Sequence, residues 1–387
     1  MNTLNQIHLS EIKIGILGGG QLGKMLITAA SRWGMNTFVL DPSEDCSASS
    51  VCNTFIKGDF KNYDDVYSFG KLVDVLTIEI ENVNTDALIQ LAKEGKQIYP
   101  EPGKLQIIKD KGLQKSFYDK YDFPSPHYTL YTDKISIIKA IEGGIQKLPF
   151  VQKLCRAGYD GKGVSVIKRN EDLIHLLDGE SIVEELIDIQ KEISVIVARN
   201  KLGEIMTYQP VEMVFNPIAN LVEYLISPAP IAPEIAKDAC DLAIAVISAF
   251  DITGILAVEM FLDKNNKIYI NEVAPRPHNS GHQTIEAAHT SQYEQQLRAI
   301  LGLPLGSTKL ISSSIMLNLL GEQGFSGLPV YDGLQECLKI EGANIHLYGK
   351  NETRPFRKMG HVTIIDNDII NLESKAKIIQ QTLKIRA

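Results

Sequence analysis

Two glutamates, Glu259 and Glu272, have the spacing that most directly suggests chemistry in this chain. They lie in β-rich runs on either side of Asn265-Asn266, and Asn tolerates the left-handed conformation that tight turns demand. With a two-residue loop at these asparagines, Glu259 lies directly opposite Glu272. Opposed residues have Cβ atoms ~4.5–5.5 Å apart, and like charges at that spacing are destabilising. Because Mg²⁺ is usually held by one or two carboxylates plus substrate phosphates, the pair predicts a metal site beside a nucleotide.

The alternative interpretation of this pair is two solvated carboxylates on an exposed sheet face. The residues that follow favour the metal site, because the stretch from Ala274 to His282 is dense in polar recognition groups. These include Arg276, His278 and Asn279.

A glycine-rich basic loop follows the strand that ends at Lys153 and runs from Arg156 to Gly163. Such a loop between two strands can fold over a triphosphate, with backbone N–H groups and Lys ammonium groups opposing its charge. It is not a Walker loop, since G-x-x-x-x-G-K-[ST] is absent, and the alternative is an exposed hairpin tip. Because glycine lowers the cost of conformational change, we expect Gly158–Gly163 to be a mobile lid that nucleotide orders.

Carboxylates downstream of this loop fit the rest of a nucleotide site. Glu184 and Glu185 end a strand, and Glu192 follows within a short connection. A strand edge can offer backbone groups to a purine, and a carboxylate can accept hydrogen bonds from two ribose hydroxyls. Each signal is weak alone, whereas their order along the chain, with the carboxylate hairpin last, is a stronger one.

The first glycine loop, Gly18-Gly19-Gly20-Gln21-Leu22-Gly23, matches G-x-G-x-x-G between a strand and a helix. Asp41 ends the next strand, where the acidic ribose ligand of a dinucleotide site would lie. The pattern predicts phosphate binding at a helix N-terminus, and the alternative is a turn that needs glycine for packing alone. A nicotinamide-dependent oxidoreductase is a minority hypothesis, because it leaves the hairpin carboxylates and the second glycine loop unexplained.

The elements that position these residues begin with strands alternating with helices. Apolar runs at Ile12–Leu17, Thr37–Asp41 and within 73–83 are separated by residues at helical spacing. This alternation predicts an open parallel sheet that ends near Pro100–Gly103.

The pattern changes from Ile107 onward to a helix, a small β-rich unit and further strands. Helices are predicted over Ile235–Phe250, leading into the carboxylate hairpin, and over Thr284–Leu301. After a linker at Gly302–Gly306, a small β-dominated end piece completes the chain.

Composition limits the classes of function. The 387 residues are 44% hydrophobic and 22% charged, which fits a soluble globular enzyme of two or three domains. The net charge of −8 argues against a nucleic-acid surface. Five scattered cysteines fit reduced thiols. The N-terminus lacks the regions of a signal peptide, and no apolar run is long enough to span a bilayer, so we expect a cytoplasmic protein.

Together these residues resemble the ATP-grasp superfamily and, within it, the N5-carboxyaminoimidazole ribonucleotide synthases. The resemblance extends from about Ile12 to about Ile365. It implies an α/β ATP-grasp fold with an N-terminal Rossmann-like (pre-ATP-grasp) domain and a small β-rich C-terminal domain. The implied boundaries are residues 1–105, 106–304 with a lid subdomain at about 124–187, and 305–387. The most specific motifs are Gly18–Gly23, Gly158–Gly163, Asn271–His282 and Arg357–His361.

The resemblance also implies roles for individual residues. Glu259 and Glu272 would hold Mg²⁺, and Tyr159, Asp160 and Lys350 would be catalytic. The ATP-binding residues would be Lys111, Lys153, Gly158, Tyr159, Asp160, Gly161, Lys162, Gly163, Val164, Glu184, Glu185, Leu186, Ile187, Glu192, Asn271 and Glu272. The ribonucleotide-binding residues would be Gly20, Gln21, Leu22, Glu81, Asn82, Arg276, His278, Asn279, Lys350, Arg357 and Lys358.

The activity implied is ATP-dependent carboxylation of 5-aminoimidazole ribonucleotide by bicarbonate through carboxyphosphate, in purine biosynthesis. ATP and Mg²⁺ would be the cofactors, and the family implies a homodimer. A sister ATP-grasp enzyme, such as formate-dependent glycinamide ribonucleotide transformylase, is the alternative.

The chain departs from the family pattern at Cys155, Ala157, Lys111 and Phe215. These departures affect individual triphosphate contacts but leave the fold and the metal pair unchanged. The densest basic cluster of the end piece is Lys350, Arg354, Arg357, Lys358 and His361.

Overall fold

The N-terminal part is a parallel sheet with helices on both faces, as predicted. The computed structural model describes residues 8–156, 163–216 and 221–387. The sheet has five strands in the order β3-β2-β1-β4-β5. The strands are β1 (Lys13–Leu17), β2 (Asn36–Asp41), β3 (Thr54–Lys57), β4 (Val75–Ile78) and β5 (Gln97–Tyr99). The helices are α1 (Gln21–Ser31), α2 (Tyr63–Lys71), α3 (Thr85–Lys93) and α4 (Pro102–Ile108).

Alternating side chains of the central strand divide the core between the two faces. Ile14 and Ile16 pack in one cluster with helix α1, whereas Leu17 packs in another with α2 and α3. Gly18, with φ of +97°, follows β1 in a conformation that favours glycine and turns the chain toward α1.

A small antiparallel sheet follows, with strand order β6-β9-β7-β8. Between β8 and β9, residues Asn170–His175 form a 3₁₀ turn. The elements are α5 (Lys111–Lys120), β6 (Tyr128–Tyr131), α6 (Lys134–Glu142), β7 (Phe150–Leu154), β8 (Val164–Ile167) and β9 (Ser181–Glu185).

A nine-stranded antiparallel sheet carries the carboxylate hairpin, with the path β15-β14-β10-β12-β13-β16-β19-β18 and β11 paired to β10. Its first part contains β10 (Ile189–Arg199), β11 (Ile205–Thr207), β12 (Val211–Asn216), β13 (Leu221–Ser227), α7 (Pro233–Phe250), β14 (Gly254–Asp263), β15 (Ile268–Ala274), α8 (Thr284–Ala287) and α9 (Gln292–Ile300). The remainder contains β16 (Ser314–Leu320), β17 (Val330–Asp332), α10 (Leu334–Cys337), β18 (Ala343–Leu347), β19 (Lys358–Ile365), α11 (Ile369–Thr382) and β20 (Lys384–Arg386).

The C-terminal strands extend this sheet, because β13 pairs with β16 and β16 with β19. Backbone hydrogen bonds therefore cross the predicted boundary near residue 305. Helix α7 packs against the sheet through Ala239, Ala243 and Val246, beside Val195 of β10 and Val258 of β14. This packing fixes the strands that carry the hairpin carboxylates.

The single helix predicted over Thr284–Leu301 is wrong, because α8 and α9 are separate. Ala288 forms a β-bridge with Leu310, and Ser291 caps α9 by accepting a hydrogen bond from the Glu294 amide at 3.2 Å. Among the described residues, no helix is long and apolar enough to cross a membrane.

Candidate active site

Glu259 and Glu272 are directly paired on β14 and β15, as predicted, although the predicted turn is wrong. The loop has three residues, since the Asp263 amide donates to the Lys267 carbonyl at 3.0 Å and Asn266 takes the positive φ of 62°. From this turn, Met260 pairs with Ile270. A β-bulge at Asn271 then restores the register in which the two glutamates face each other.

Each hairpin carboxylate contacts a basic side chain. Lys111 Nζ forms an ion pair with Glu272 Oε2, and His278 Nε2 lies 3.2 Å from Glu259 Oε1. Burial and the neighbouring Glu272 charge raise the pKa of Glu259. The Lys111 ammonium lowers the pKa of Glu272. The two carboxylates are thus crowded, and the ionised form of Glu259 is disfavoured until a further positive charge arrives.

Lysines from α5 and β7 converge beside the bulge. Lys153 Nζ donates to Asn271 Oδ1 at 2.7 Å and lies 2.7 Å from Glu184 Oε2. Lys115 Nζ lies 2.7 Å from the other oxygen of Glu184 and is almost fully buried. Lys111 and Lys153 therefore lie together, as their predicted phosphate contacts require.

The predicted purine and ribose residues lie at the end of β9 and on β10. Glu184 is buried and holds the two lysines through its side chain, so only its backbone remains for a purine. Glu185 accepts from the His127 amide at 3.1 Å, and Leu186 and Ile187 are partly buried in the connection that follows. Burial raises the pKa of Glu192, on β10, to about 7.

The predicted lid residues Gly158, Tyr159, Asp160, Gly161 and Lys162 lie outside the described residues, as does Ala157. The strands that flank the loop are paired, with Lys153 opposite Val164, and the Leu154 amide donates to the Gly163 carbonyl at 2.8 Å.

The residues at or beside the departures from the family pattern have identified contacts in the structure. Cys155 is buried, and a Cβ at Gly112 would lie 3.5 Å from its Sγ. Arg156 Nε lies 2.7 Å from Asp110 Oδ2 at the start of α5. Phe215 packs in the core around β12 and β13.

Two carboxylates already accept hydrogen bonds from backbone amides of the first glycine loop. Asp41 Oδ2 accepts from the Gly19 amide at 2.7 Å, and Glu79 Oε1 accepts from the Leu22 amide at 3.3 Å. A Cβ at Gly20 would lie 2.3 Å from Glu79 Oε1. Asp41 therefore closes the loop and is not a ribose ligand, which removes the basis of the dinucleotide hypothesis.

Residues predicted to bind the ribonucleotide meet at the edge of this loop. Arg276 Nε lies 2.8 Å from Glu81 Oε1. This ion pair joins the hairpin segment, defined as residues 275–281 after β15, to the N-terminal sheet. Asn82 is exposed, and Gln21, at the start of α1, is partly buried. Leu22 packs its side chain in the core, so only its backbone can contact a ligand.

The C-terminal strands bring the predicted basic residues to the same region. Lys350 Nζ donates to the Lys358 carbonyl at 2.7 Å, and Arg357 Nη1 donates to the Glu352 carbonyl at 2.6 Å. The interpretation of His361 as a member of this basic cluster is wrong. Its side chain is fully buried, and burial lowers its pKa well below the ordinary value.

Sequence reasoning missed three residues of the site. Lys115 is one helical turn after Lys111 on α5, a signal that was available from spacing. Glu79 lies two residues before Glu81, and burial raises its pKa to about 7. Asn318 exchanges two hydrogen bonds with Asn279, at 2.9 and 3.1 Å, and no local pattern indicates it.

Three domain families match the chain in order. They are a ribonucleotide synthetase preATP-grasp domain over residues 12–109, an ATP-grasp domain over 116–293, and a phosphoribosylaminoimidazole carboxylase C-terminal domain over 314–375. The carboxylase-type third match favours the carboxylating family over the transformylase alternative.

This chain is similar to a bacterial relative over nearly the whole length of both proteins. The chain is 36% identical over 365 residues to the N5-carboxyaminoimidazole ribonucleotide synthase of Bacillus subtilis, with 93% of each chain covered. It spans 67% and 66% of the longer relatives named phosphoribosylaminoimidazole carboxylase in Vigna aconitifolia and Candida albicans.

Solved structures extend the similarity to three dimensions. The N5-carboxyaminoimidazole ribonucleotide synthetase of Thermotoga maritima superposes with a TM-score of 0.89 at 43% identity, covering 97% of this chain and 99% of that one. The Aspergillus clavatus synthase in complex with ADP and 5-aminoimidazole ribonucleotide gives 0.88 at 31% identity, covering 96% and 98%. With this likeness from end to end, the chain belongs to the N5-carboxyaminoimidazole ribonucleotide synthase family of ATP-grasp ligases.

Proposed function

We propose that this enzyme carboxylates 5-aminoimidazole ribonucleotide with bicarbonate at the expense of ATP, giving N5-carboxyaminoimidazole ribonucleotide, ADP and phosphate. One observation carries the proposal. The bulge at Asn271 places two adjacent polar residues, Asn271 and Glu272, against the lysines of α5 and β7. The segment that follows β15 carries Arg276, His278 and Asn279. A triphosphate site and a second polar substrate site would thereby be joined by one short segment.

Mg²⁺ fits the carboxylate pair. The donors are hard oxygens, and the unfavourable crowding that raises the pKa of Glu259 is the kind that a divalent cation relieves. We infer that Glu259 and Glu272 hold the ion together with ATP. When bound, it would neutralise charge on the β- and γ-phosphates.

The lysines would orient the triphosphate. Lys111 would exchange Glu272 for a phosphate oxygen when nucleotide binds, and Lys153, held by Asn271 and Glu184, would contact the terminal phosphates. Such fixed cations supply most of what a protein contributes to phosphoryl transfer, namely positioning and charge neutralisation. Glu192 would accept the ribose hydroxyls, and the backbone of Glu184–Ile187 would contact the adenine.

The chemistry then has two displacement steps. A bicarbonate oxygen attacks the γ-phosphorus, the bond to the β-phosphate oxygen breaks, and carboxyphosphate and ADP form. The amine of the ribonucleotide next attacks the carboxyl carbon, and phosphate leaves. Because carboxyphosphate hydrolyses readily, the Gly158–Gly163 loop is proposed to exclude water, with Tyr159 and Asp160 fixing the amine or the bicarbonate.

The ribonucleotide would bind between the glycine loop and the C-terminal strands. Arg357 and Lys358 would contact its phosphate together with Gly20, Gln21 and the Leu22 amide, which would exchange the Glu79 carboxylate for a phosphate oxygen. Glu81, Asn82, Arg276, His278, Asn279 and Lys350 would surround the reacting half. A homodimer is the assembly that the family implies, and five free cysteines fit a reducing compartment such as the cytoplasm.

Release of ADP tests this function directly. In bicarbonate-depleted buffer with Mg²⁺ and ATP, we expect little ADP, and we expect rapid release only when bicarbonate and 5-aminoimidazole ribonucleotide are both added. ADP release driven by formate and glycinamide ribonucleotide, with no response to the aminoimidazole, would reject the proposal.

A further inference from the structure

Three histidine rings lie next to one another, two of them in the interior and His346 partly buried, and the proposed reaction uses none of them. The His361 ring lies 4.3 Å from that of His346, with the planes 7° apart, and 4.6 Å from that of His282. His282 and His361 are both 0% exposed. His282 follows the hairpin segment, whereas His346 and His361 face each other on β18 and β19. The histidine stack, defined as these three residues, thus joins the central part of the chain to its C-terminal strands.

Hydrogen bonds fix the rings at their outer edges. Tyr293 Oη lies 2.9 Å from His282 Nδ1, Tyr348 Oη lies 3.0 Å from His361 Nδ1, and His346 Nε2 lies 2.7 Å from Glu286 Oε1. Within the described parts of the chain, Nε2 of His282 and Nε2 of His361 have no hydrogen-bond partner. A protonated imidazole carries N–H on both nitrogens, so each charged ring would bury an unsatisfied donor.

The histidine stack adjoins the segments assigned to the ribonucleotide. The His282 amide donates to the Asn279 carbonyl at 3.2 Å, and Asn318, the partner of Asn279, pairs with His361 across β16 and β19. Lys358 lies three residues before His361 on the same strand and accepts the Lys350 ammonium at its carbonyl. Separation of the rings would therefore move Asn279 relative to Lys350 and Lys358.

We propose that the histidine stack is a positioning device that holds the ribonucleotide-binding segments together, and that it does so only while His282 and His361 are uncharged. The substrate half of this inference rests on the proposed function. The three histidines act through Asn279, Lys350 and Lys358.

The charges around the histidine stack favour the neutral rings. The basic groups facing it are Arg276 and His278 from the hairpin segment and Lys358 from β19, and Lys24 of α1 donates to the Leu347 carbonyl, next to His346, at 3.0 Å. The facing acid is Glu286 from α8, and Tyr293 and Tyr348 are the other titratable groups in contact. Burial first, and then His278, Lys358, His346 and Arg276, lower the pKa of His282 well below the ordinary value. Burial and then the other two histidines lower the pKa of His361 in the same direction.

The sign of the pH effect follows from this direction. An opened state, in which the rings reach water, has an ordinary histidine pKa of about 6.5 and binds more protons than the closed state. Closure is therefore fully favoured above about pH 6.5 and weakens as the pH falls, by up to about tenfold per pH unit for each histidine.

Hydrogen exchange of residues 343–365 measures the opening without any substrate. Relative to pH 7.5, and after correction for intrinsic exchange, wild-type protection should fall at pH 5.5. His361→Phe keeps a ring but cannot be protonated at this position. The decrease in its protection factor should therefore be smaller than in wild type, by up to about tenfold for each pH unit. His175→Gln, an exposed histidine on the 3₁₀ turn, should behave as wild type. Equal pH dependence in wild type and His361→Phe would overturn the proposal.

Kinetics test the positioning role. At pH 7.5, the KM for the ribonucleotide should be at least tenfold higher in His361→Arg, whose guanidinium stays charged when buried, than in His361→Phe, whose ring carries no charge. The KM for ATP should differ less than twofold between the two variants. Equal differences for both substrates would reject the positioning role. If His361→Arg does not fold, the exchange comparison still decides, and absence of ribonucleotide-dependent ADP release in wild type would reject the proposed function alone.

Discussion

A Glu272→Gln enzyme is expected to fold and to lose about 10²–10³-fold in kcat, the scale seen when one preorganised electrostatic partner is removed from a transition state. Gln keeps the shape of the side chain but removes the charge that would bind Mg²⁺, and Glu259 alone would hold the ion weakly. The fold should survive because the Glu272 side chain is 42% exposed, so that its ion pair with Lys111 contributes little to stability. Steady-state ADP release at saturating ATP and bicarbonate measures the change.

The matched control for this substitution is Glu234→Gln, an exposed carboxylate in the first turn of α7. It changes the net charge equally and should leave kcat unaltered. Glu259→Gln should resemble Glu272→Gln, and excess Mg²⁺ should restore part of the activity in both. Wild-type turnover in either hairpin variant would mean that the metal is held elsewhere.

An Arg357→Ala enzyme should show a KM for 5-aminoimidazole ribonucleotide raised by about 10- to 100-fold, with the KM for ATP changed less than threefold. Arg suits bidentate phosphate recognition, and a hydrogen bond to a charged group contributes about 1.5–3 kcal/mol. The Arg357 side chain donates to the Glu352 carbonyl, and its other described hydrogen bonds are made by its backbone, so loss of the side chain should leave the fold intact. Initial rates with each substrate varied in turn separate the two KM values.

Arg354→Ala is the comparison that distinguishes a specific contact from general attraction of an anion. Arg354 is exposed on the same basic surface, three residues before Arg357. An equal increase in KM for both variants would indicate long-range electrostatics, which salt would screen. Parallel increases for ATP and ribonucleotide in Arg357→Ala would move the phosphate site away from this cluster.

The hairpin shows how local pattern can predict a site and still miss its geometry. The β-rich runs on either side of Asn265 and Asn266 were sufficient to predict that Glu259 lies opposite Glu272. The true turn is one residue longer, and the bulge at Asn271 compensates for it. That bulge depends on a distant contact, because the Ile270 amide donates to the Pro124 carbonyl at 2.7 Å. No local pattern contains such information.

Three strands of the N-terminal sheet, β1, β2 and β4, were predictable because they are largely buried apolar runs. Strand β3, whose residues are only partly buried or exposed, and the three-residue β5 were not predicted. The break between α8 and α9 was not predicted either, since it rests on the bridge from Ala288 to Leu310 and on the cap at Ser291. Helix α11 was also missed, and the end piece was expected to be β-dominated.

The surroundings of charged residues were the least predictable, because a residue's type and its position in the sequence do not determine whether its side chain is buried. His361 lies among basic residues in sequence, yet its strand places it in the interior. Glu79 closes the glycine loop, and Glu184 binds two lysines instead of facing a ligand with its side chain. These outcomes depend on neighbours from other elements, which spacing alone does not reveal.

Phosphorylation of bicarbonate can be followed through the fate of the bicarbonate oxygen. With ¹⁸O-labelled bicarbonate, ATP and 5-aminoimidazole ribonucleotide, the attacking oxygen stays bonded to phosphorus when the amine displaces phosphate. Mass spectrometry should therefore find one labelled oxygen in each inorganic phosphate released with ribonucleotide-dependent ADP. Unlabelled phosphate formed at the same rate would contradict the account, because ATP would then be cleaved without activating bicarbonate.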